Sequence, residues 1–111
     1  MTSEQIAFLE PTLVELLGAT CLYAMAETVE EAEKRGIPKE AAVSFLTGHI
    51  YNLSANFLGY IPGNPPVSDA CKVAIGLGNR LVMRENWKEI WKDEVLHKVI
   101  ATMLHPENPQ I

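Results

Sequence analysis

Three side chains at helical spacing offer the clearest chemistry in the sequence. His49, Asn52 and Asn56 stand at i, i+3 and i+7, so a helix carries them on one face, beside the apolar Phe45 and Leu53. An imidazole serves as a general base or a metal ligand, and two carboxamides both donate to and accept from substrate hydroxyls. Gly48, next to the histidine, leaves room for a close approach. Two acids stand at helix starts elsewhere, Glu10 before Pro11 and Asp69 after Ser68. Glu10, His49 and Asp69 together make an oxygen and nitrogen set suited to Mg²⁺, Mn²⁺ or a substrate hydroxyl. Each also has a plainer reading. A histidine beside apolar residues is often a hydrogen-bonded core residue, and an acid at a helix start compensates the helix dipole. Trp87 and Trp91, four apart, read as packing anchors or interface residues, and His97 and His105 as surface residues. The sequence contains no GxGxxG, Walker loop, GxSxG or HExxH pattern, so the chain binds no dinucleotide by these signs.

The element that must position these residues is the stretch Pro11 to Gly36. It reads as one helix of about 25 residues, some 37 Å long. Between Leu13 and Ala26 apolar residues go nearly all the way round, interrupted by Glu15, which is the pattern of a buried helix. Past Glu27 only Val29 and Ala32 remain as an inward stripe, and Gly36, Ile37 and Pro38 form a stop. A second helix is expected over about Pro38 to Leu58, ended by Gly59 and forming an antiparallel hairpin with the first. Residues 60–67, rich in proline, read as a rigid crossover. Ser68 then caps a helix to about Asn79, with Gly76 and Gly78 weakening its end or permitting close contact. Asn86 caps a short turn holding Trp87, Ile90 and Trp91, with Glu89 in the capping-box position. A last helix runs over about Asp93 to Leu104, stopped by His105-Pro106, and the tail is expected to be loose. The lead-in before Pro11 reads as a short packed segment. No strand, repeat or low-complexity run is evident. The fold class is all-α, a compact bundle of four to five helices around a long N-terminal helix.

At 111 residues the chain reads as a single helical domain, with 48% hydrophobic residues and a net charge of −5. A helix of about 37 Å is longer than such a domain is wide, so the remaining residues cannot cover it. A partner subunit or a missing domain is implied. The acidic balance and the lack of a basic cluster argue against nucleic acid. The run Leu16–Ala26, flanked by Glu15 and Glu27, is too short for a bilayer span, so no membrane partner is expected. The N-terminus lacks the basic region of a signal peptide. Cys21 and Cys71 read as buried free thiols in a reducing, cytoplasmic setting.

Several of these segments carry a resemblance. FLEPTLVELLGAT, AMAETVEEAEKRGIPKEAAVSFLTGHIYN, PVSDACKVAIGLGNR and ENWKEIW resemble the C-terminal helical domain of 6-phosphogluconate dehydrogenase-like oxidoreductases, in the β-hydroxyacid dehydrogenase superfamily. The similarity covers about residues 5 to 104. It implies a parent enzyme whose N-terminal Rossmann domain, absent from this chain, binds NAD(P). It also implies that the helical domain caps the substrate cleft and forms the homodimer. Superfamily members carry a catalytic lysine near the start of the first helix, whereas the first lysine here is Lys34. Some related enzymes are metal-assisted oxidoisomerases of branched sugar acids. The reading is therefore a substrate and dimerisation domain of an NAD(P)-dependent hydroxyacid or sugar-acid dehydrogenase. His49 and Glu10 are the catalytic candidates, Asn52, Asn56 and Asp69 the substrate-binding ones, and Glu10, His49 and Asp69 the metal set. The alternative is a stand-alone helical module that dimerises or binds a small ligand or metal without catalysis.

Overall fold

The computed structural model describes residues 1–63 and 67–111, and every regular element among them is a helix or helical turn. In chain order these are α1 (Ser3–Leu9), a π-helical segment (Glu10–Ala19), α2 (Thr20–Lys34), α3 (Lys39–Leu58), α4 (Asp69–Leu81), a 3₁₀ turn (Trp87–Trp91) and α5 (Asp93–Leu104). The all-α expectation holds. The chain divides into two units, one of residues 1–25 with 86–111 and the other of residues 26–85.

The first helix starts earlier than Pro11. Thr2 caps it at Ser3, its hydroxyl accepting from the Gln5 N–H at 3.1 Å while the Gln5 side chain accepts from the Thr2 N–H at 2.8 Å. This reciprocal pair satisfies two end donors and fixes the start. Pro11 therefore lies inside the helix, where it offers no N–H and its ring crowds the carbonyl four residues back. The helix widens to the π register over Glu10–Ala19 instead of breaking. The Thr12 hydroxyl donates to the Phe8 carbonyl, supplying from a side chain a bond that this change of register disturbs. Gly18 suits the wider turn, because a Cβ there would lie 3.1 Å from the Leu13 carbonyl oxygen.

The continuous helix Ser3–Lys34 is long and apolar enough, by length and composition, to cross a bilayer. This corrects the expectation that no run would be. Glu15 sits within its most apolar stretch, where an acid at a bilayer centre costs about 3 kcal/mol. Nor does the chain bury this helix: Pro11, Thr12 and Val29 are buried, but Leu13, Val14, Leu22 and Tyr23 are 49%, 58%, 55% and 71% exposed. The apolar girdle is real, and the described residues leave these side chains uncovered.

In the first unit, α5 packs on the π segment and on the 3₁₀ turn. The buried residues are Pro11, Thr12, Leu96 and Val99. Leu96 and Val99 are three apart, with Val95 and Ile100 half-buried beside them, so one stripe of α5 supplies the core. The helix spans the expected residues, with Asp93 and Glu94 in its first turn favouring the dipole. Asn86 departs from the expected capping box. Its side chain makes no cap bond, and its Nδ2 donates to Glu89 Oε2 at 3.1 Å. The tail is tethered, not loose, because the Gln110 N–H donates to the Thr102 hydroxyl at 2.9 Å.

The second unit turns sharply after α2. Gly36, at φ 87°, donates to the Glu33 carbonyl at 3.0 Å and Ile37 to the Ala32 carbonyl at 3.1 Å. These bonds satisfy the last helical carbonyls in the pattern that a left-handed glycine permits. Pro38 follows, and α3 (Lys39–Leu58) is then ended by Gly59 at a φ of 68°. The predicted antiparallel hairpin is not formed along the helices, since α2 and α3 do not approach closely over their length. They meet at the turn and enclose an apolar wedge of about 440 Å³, lined by Val29, Ala32, Ile37, Ala42, Phe45 and Leu46 among others. A hairpin needs side chains interlocking on both helices, and the facing positions Ala32, Ala41 and Ala42 are too small to fill the gap. The start of the predicted crossover is non-helical at Tyr60–Gly63, with Tyr60 Oη 2.7 Å from Ser54 Oγ; residues 64–66 lie outside the described residues.

The Ser68 hydroxyl caps α4 by accepting from the Cys71 N–H at 3.1 Å. Ser68→Ala is expected to lower stability by about 1 kcal/mol, read as a fall in the denaturation midpoint, because that donor loses its partner. The two cysteines are free and half-buried, where full burial was expected.

Candidate functional site

α3 brings His49, Asn52 and Asn56 onto one face, as their spacing requires. His49 Nδ1 lies 2.7 Å from the Phe45 carbonyl oxygen. A carbonyl oxygen only accepts, so Nδ1 must carry the hydrogen, and the neutral ring then holds its lone pair at Nε2. The imidazole also lies against the Phe45 ring, with centroids 4.2 Å apart and planes inclined by 34°. Two contacts from one residue therefore fix both the tautomer and the orientation of the base. His49 is exposed, which sets aside its reading as a core histidine.

Asn56 is half-buried and donates from Nδ2 to the Asn52 backbone carbonyl at 3.1 Å, leaving Oδ1 as its acceptor. Asn52 is exposed one turn from His49, on the same face of α3. Phe45, 71% exposed, borders His49 with an aromatic surface. The participation of Phe45 was not inferred from the sequence. The signal for it was present in the i, i+4 spacing of Phe45 and His49.

The other candidates are placed separately. Asp69 is in the first turn of α4, fully exposed, 3.8 Å from the Lys72 ammonium. Glu10 is exposed at the junction of α1 and the π segment, in the first unit, whereas the remaining candidates belong to the second. Among the described residues no three His, Cys, Asp or Glu side chains gather in a way that holds a metal ion. Glu10, His49 and Asp69 form no such group among the described residues, and no chemical step is drawn through a metal ion.

The chemistry thus assembled is that of a fixed base beside hydrogen-bonding amides, a combination suited to removing a proton from a hydroxyl. Residues 1–104 match the family model described as Phosphogluconate dehydrogenase (decarboxylating) C-term. Across 111 residues the chain is 92% identical to a D-apionate oxidoisomerase of Blautia hydrogenotrophica, an alignment covering 100% of this chain and 39% of that protein. It is 42% identical over 100 residues to a D-apionate oxidoisomerase of Cupriavidus necator, covering 90% of this chain and 36% of the relative. The chain thus spans less than half the length of these curated relatives. No solved structure matches it. The chain belongs to the phosphogluconate dehydrogenase (decarboxylating) C-terminal family, the helical part of dehydrogenase-type enzymes.

Proposed function

We propose that the chain is the substrate-binding and dimerising C-terminal domain of an NAD(P)-dependent oxidoisomerase of a sugar acid, with D-apionate as its substrate. The observation that carries this reading is 92% identity along the whole chain to a D-apionate oxidoisomerase. In this reading the nucleotide binds a Rossmann domain of the longer parent protein, a length supported by the relative of which this chain covers 39%. Bound there, NAD(P)⁺ would supply the hydride acceptor for the oxidation. As the hydroxyl-bearing carbon is oxidised to a carbonyl, the hydroxyl proton passes to His49 Nε2. The Nδ1–H bond to the Phe45 carbonyl holds the ring in place and stabilises the positive charge it gains. The Asn52 carboxamide hydrogen-bonds a neighbouring hydroxyl, and Phe45 shields one side of the site from water.

The full-length protein mixed with D-apionate and either NAD⁺ or NADP⁺ is expected to produce the reduced nicotinamide, followed by its absorbance. It should do so far faster than with 6-phosphogluconate. Absence of reduction with both nucleotides would overturn the enzymatic reading and leave the binding module in its place.

A further inference from the structure

The His49 ring changes charge in the proposed reaction, and the side chain that meets it is aromatic. When the substrate O–H bond breaks, its proton bonds to Nε2 and the neutral imidazole becomes a cation. The Phe45 ring stands 4.2 Å away, centroid to centroid, with the two planes inclined by 34°. Rings that near and that close to parallel must overlap face to face, because rings side by side in one plane are held farther apart by their edges. The new charge therefore appears over the π face of Phe45. It lies inside the reach of about 6 Å at which a cation is drawn to that negative face.

Before the proton moves, the contact joins two neutral rings. Afterwards it joins a cation to a quadrupole and is stronger. An interaction that strengthens on the way to the transition state raises kcat and leaves substrate affinity alone. The two contacts from Phe45 thus do different things. Its carbonyl oxygen, 2.7 Å from Nδ1, keeps the hydrogen there and the lone pair on Nε2, and it is present whatever side chain stands at this position. The ring supports the charge, and only the side chain supplies it. Phe45 is 71% exposed, so its ring can be altered at little cost to the core.

We propose that Phe45 is a positioning residue whose aromatic face stabilises the protonated His49 ring and so speeds proton removal from the sugar acid. This role rests on His49 being the base. Fluorine drains the π face of a phenyl ring while hardly changing its shape, which separates charge stabilisation from packing. The full-length protein is prepared with mono-, tri- and pentafluorophenylalanine in turn at position 45. Its kcat on D-apionate should fall stepwise, to about five- to thirtyfold below wild type, with KM within about twofold. Phe45→Leu should lose as much, and Phe45→Tyr, which keeps the face, should retain wild-type turnover. The melting temperature should hold across the series. Independently of turnover, the ring protons of His49 should resonate upfield in the wild type, shifted by the Phe45 ring current, and return to ordinary positions in Phe45→Leu.

A kcat that stays flat across the fluorinated series, while His49→Ala loses turnover, would overturn the role of Phe45 and leave His49 as the base. Unshifted His49 ring protons in the wild type would also overturn it, as would a melting temperature that falls in step with kcat, which marks a packing residue. Full turnover in His49→Ala, or no turnover of D-apionate by the wild type, would remove the base itself and this role with it.

Discussion

Replacing His49 with alanine in the full-length protein should lower kcat on the sugar acid by about two to four orders of magnitude, the usual contribution of a positioned general base. The melting temperature should stay close to that of the wild type. His49 is exposed, and its ring meets the Phe45 carbonyl and the Phe45 ring of its own helix, so little packing is lost with it. The two readouts separate chemistry from structure. A histidine with a structural role would lose stability on truncation and keep most of its turnover in the surviving protein. A histidine that takes the hydroxyl proton loses turnover and keeps its fold. Steady-state kinetics and a thermal melt on the same preparation decide between them, and a kcat within a few-fold of wild type would remove His49 from the mechanism.

Leu96→Ala should have the largest effect on stability. Leu96 is 1% exposed and is one of four buried residues that hold the first unit together. Truncating a fully buried leucine costs about 2–5 kcal/mol, combining lost transfer energy with an unfilled cavity. In so small a core that is a large share of the total, so α5 is expected to detach from the π segment before the rest unfolds. Denaturant unfolding should show the lower midpoint. Hydrogen exchange should show it more locally, as faster exchange over Asp93–Leu104 than over Lys39–Leu58. Equal protection of both helices in the variant would mean that the first unit has another source of stability.

The helix ends that were legible in the sequence are those written in backbone chemistry. Gly36-Ile37-Pro38, Gly59, Ser68 and His105-Pro106 each leave a specific hydrogen-bonding or steric signature, and the structure ends or begins a helix at each of them. The same kind of rule misplaced the first helix. Proline favours a helix start, but Thr2 and Gln5 make a stronger one nine residues earlier, and the chain absorbs Pro11 by changing register. A π register has no residue signature of its own, so only the three-dimensional chain reveals it. Burial was also misread along Leu13–Tyr23, because periodicity reports that a face seeks cover and not whether this chain provides it. Tertiary contacts were the least legible: the hairpin of α2 and α3 rested on a short connection, and the small residues lining the wedge did not close it.

The site follows the same division. His49, Asn52 and Asn56 share a face because helical geometry alone demands it, and the sequence was sufficient for that. Glu10 and Asp69 belong to other elements, and no spacing rule relates them to α3. Asp69, read first as a ligand, stands fully exposed at the start of α4, 3.8 Å from the Lys72 ammonium.

The central claim is that the α3 face carrying His49 is where a sugar acid is oxidised. The structure of the full-length protein with D-apionate bound tests it most directly. His49 Nε2 should lie within about 3.2 Å of the hydroxyl on the carbon facing the nicotinamide, with the Asn52 carboxamide on an adjacent hydroxyl. A sugar acid bound elsewhere, with His49 farther from it than one bridging water can span, would contradict the account.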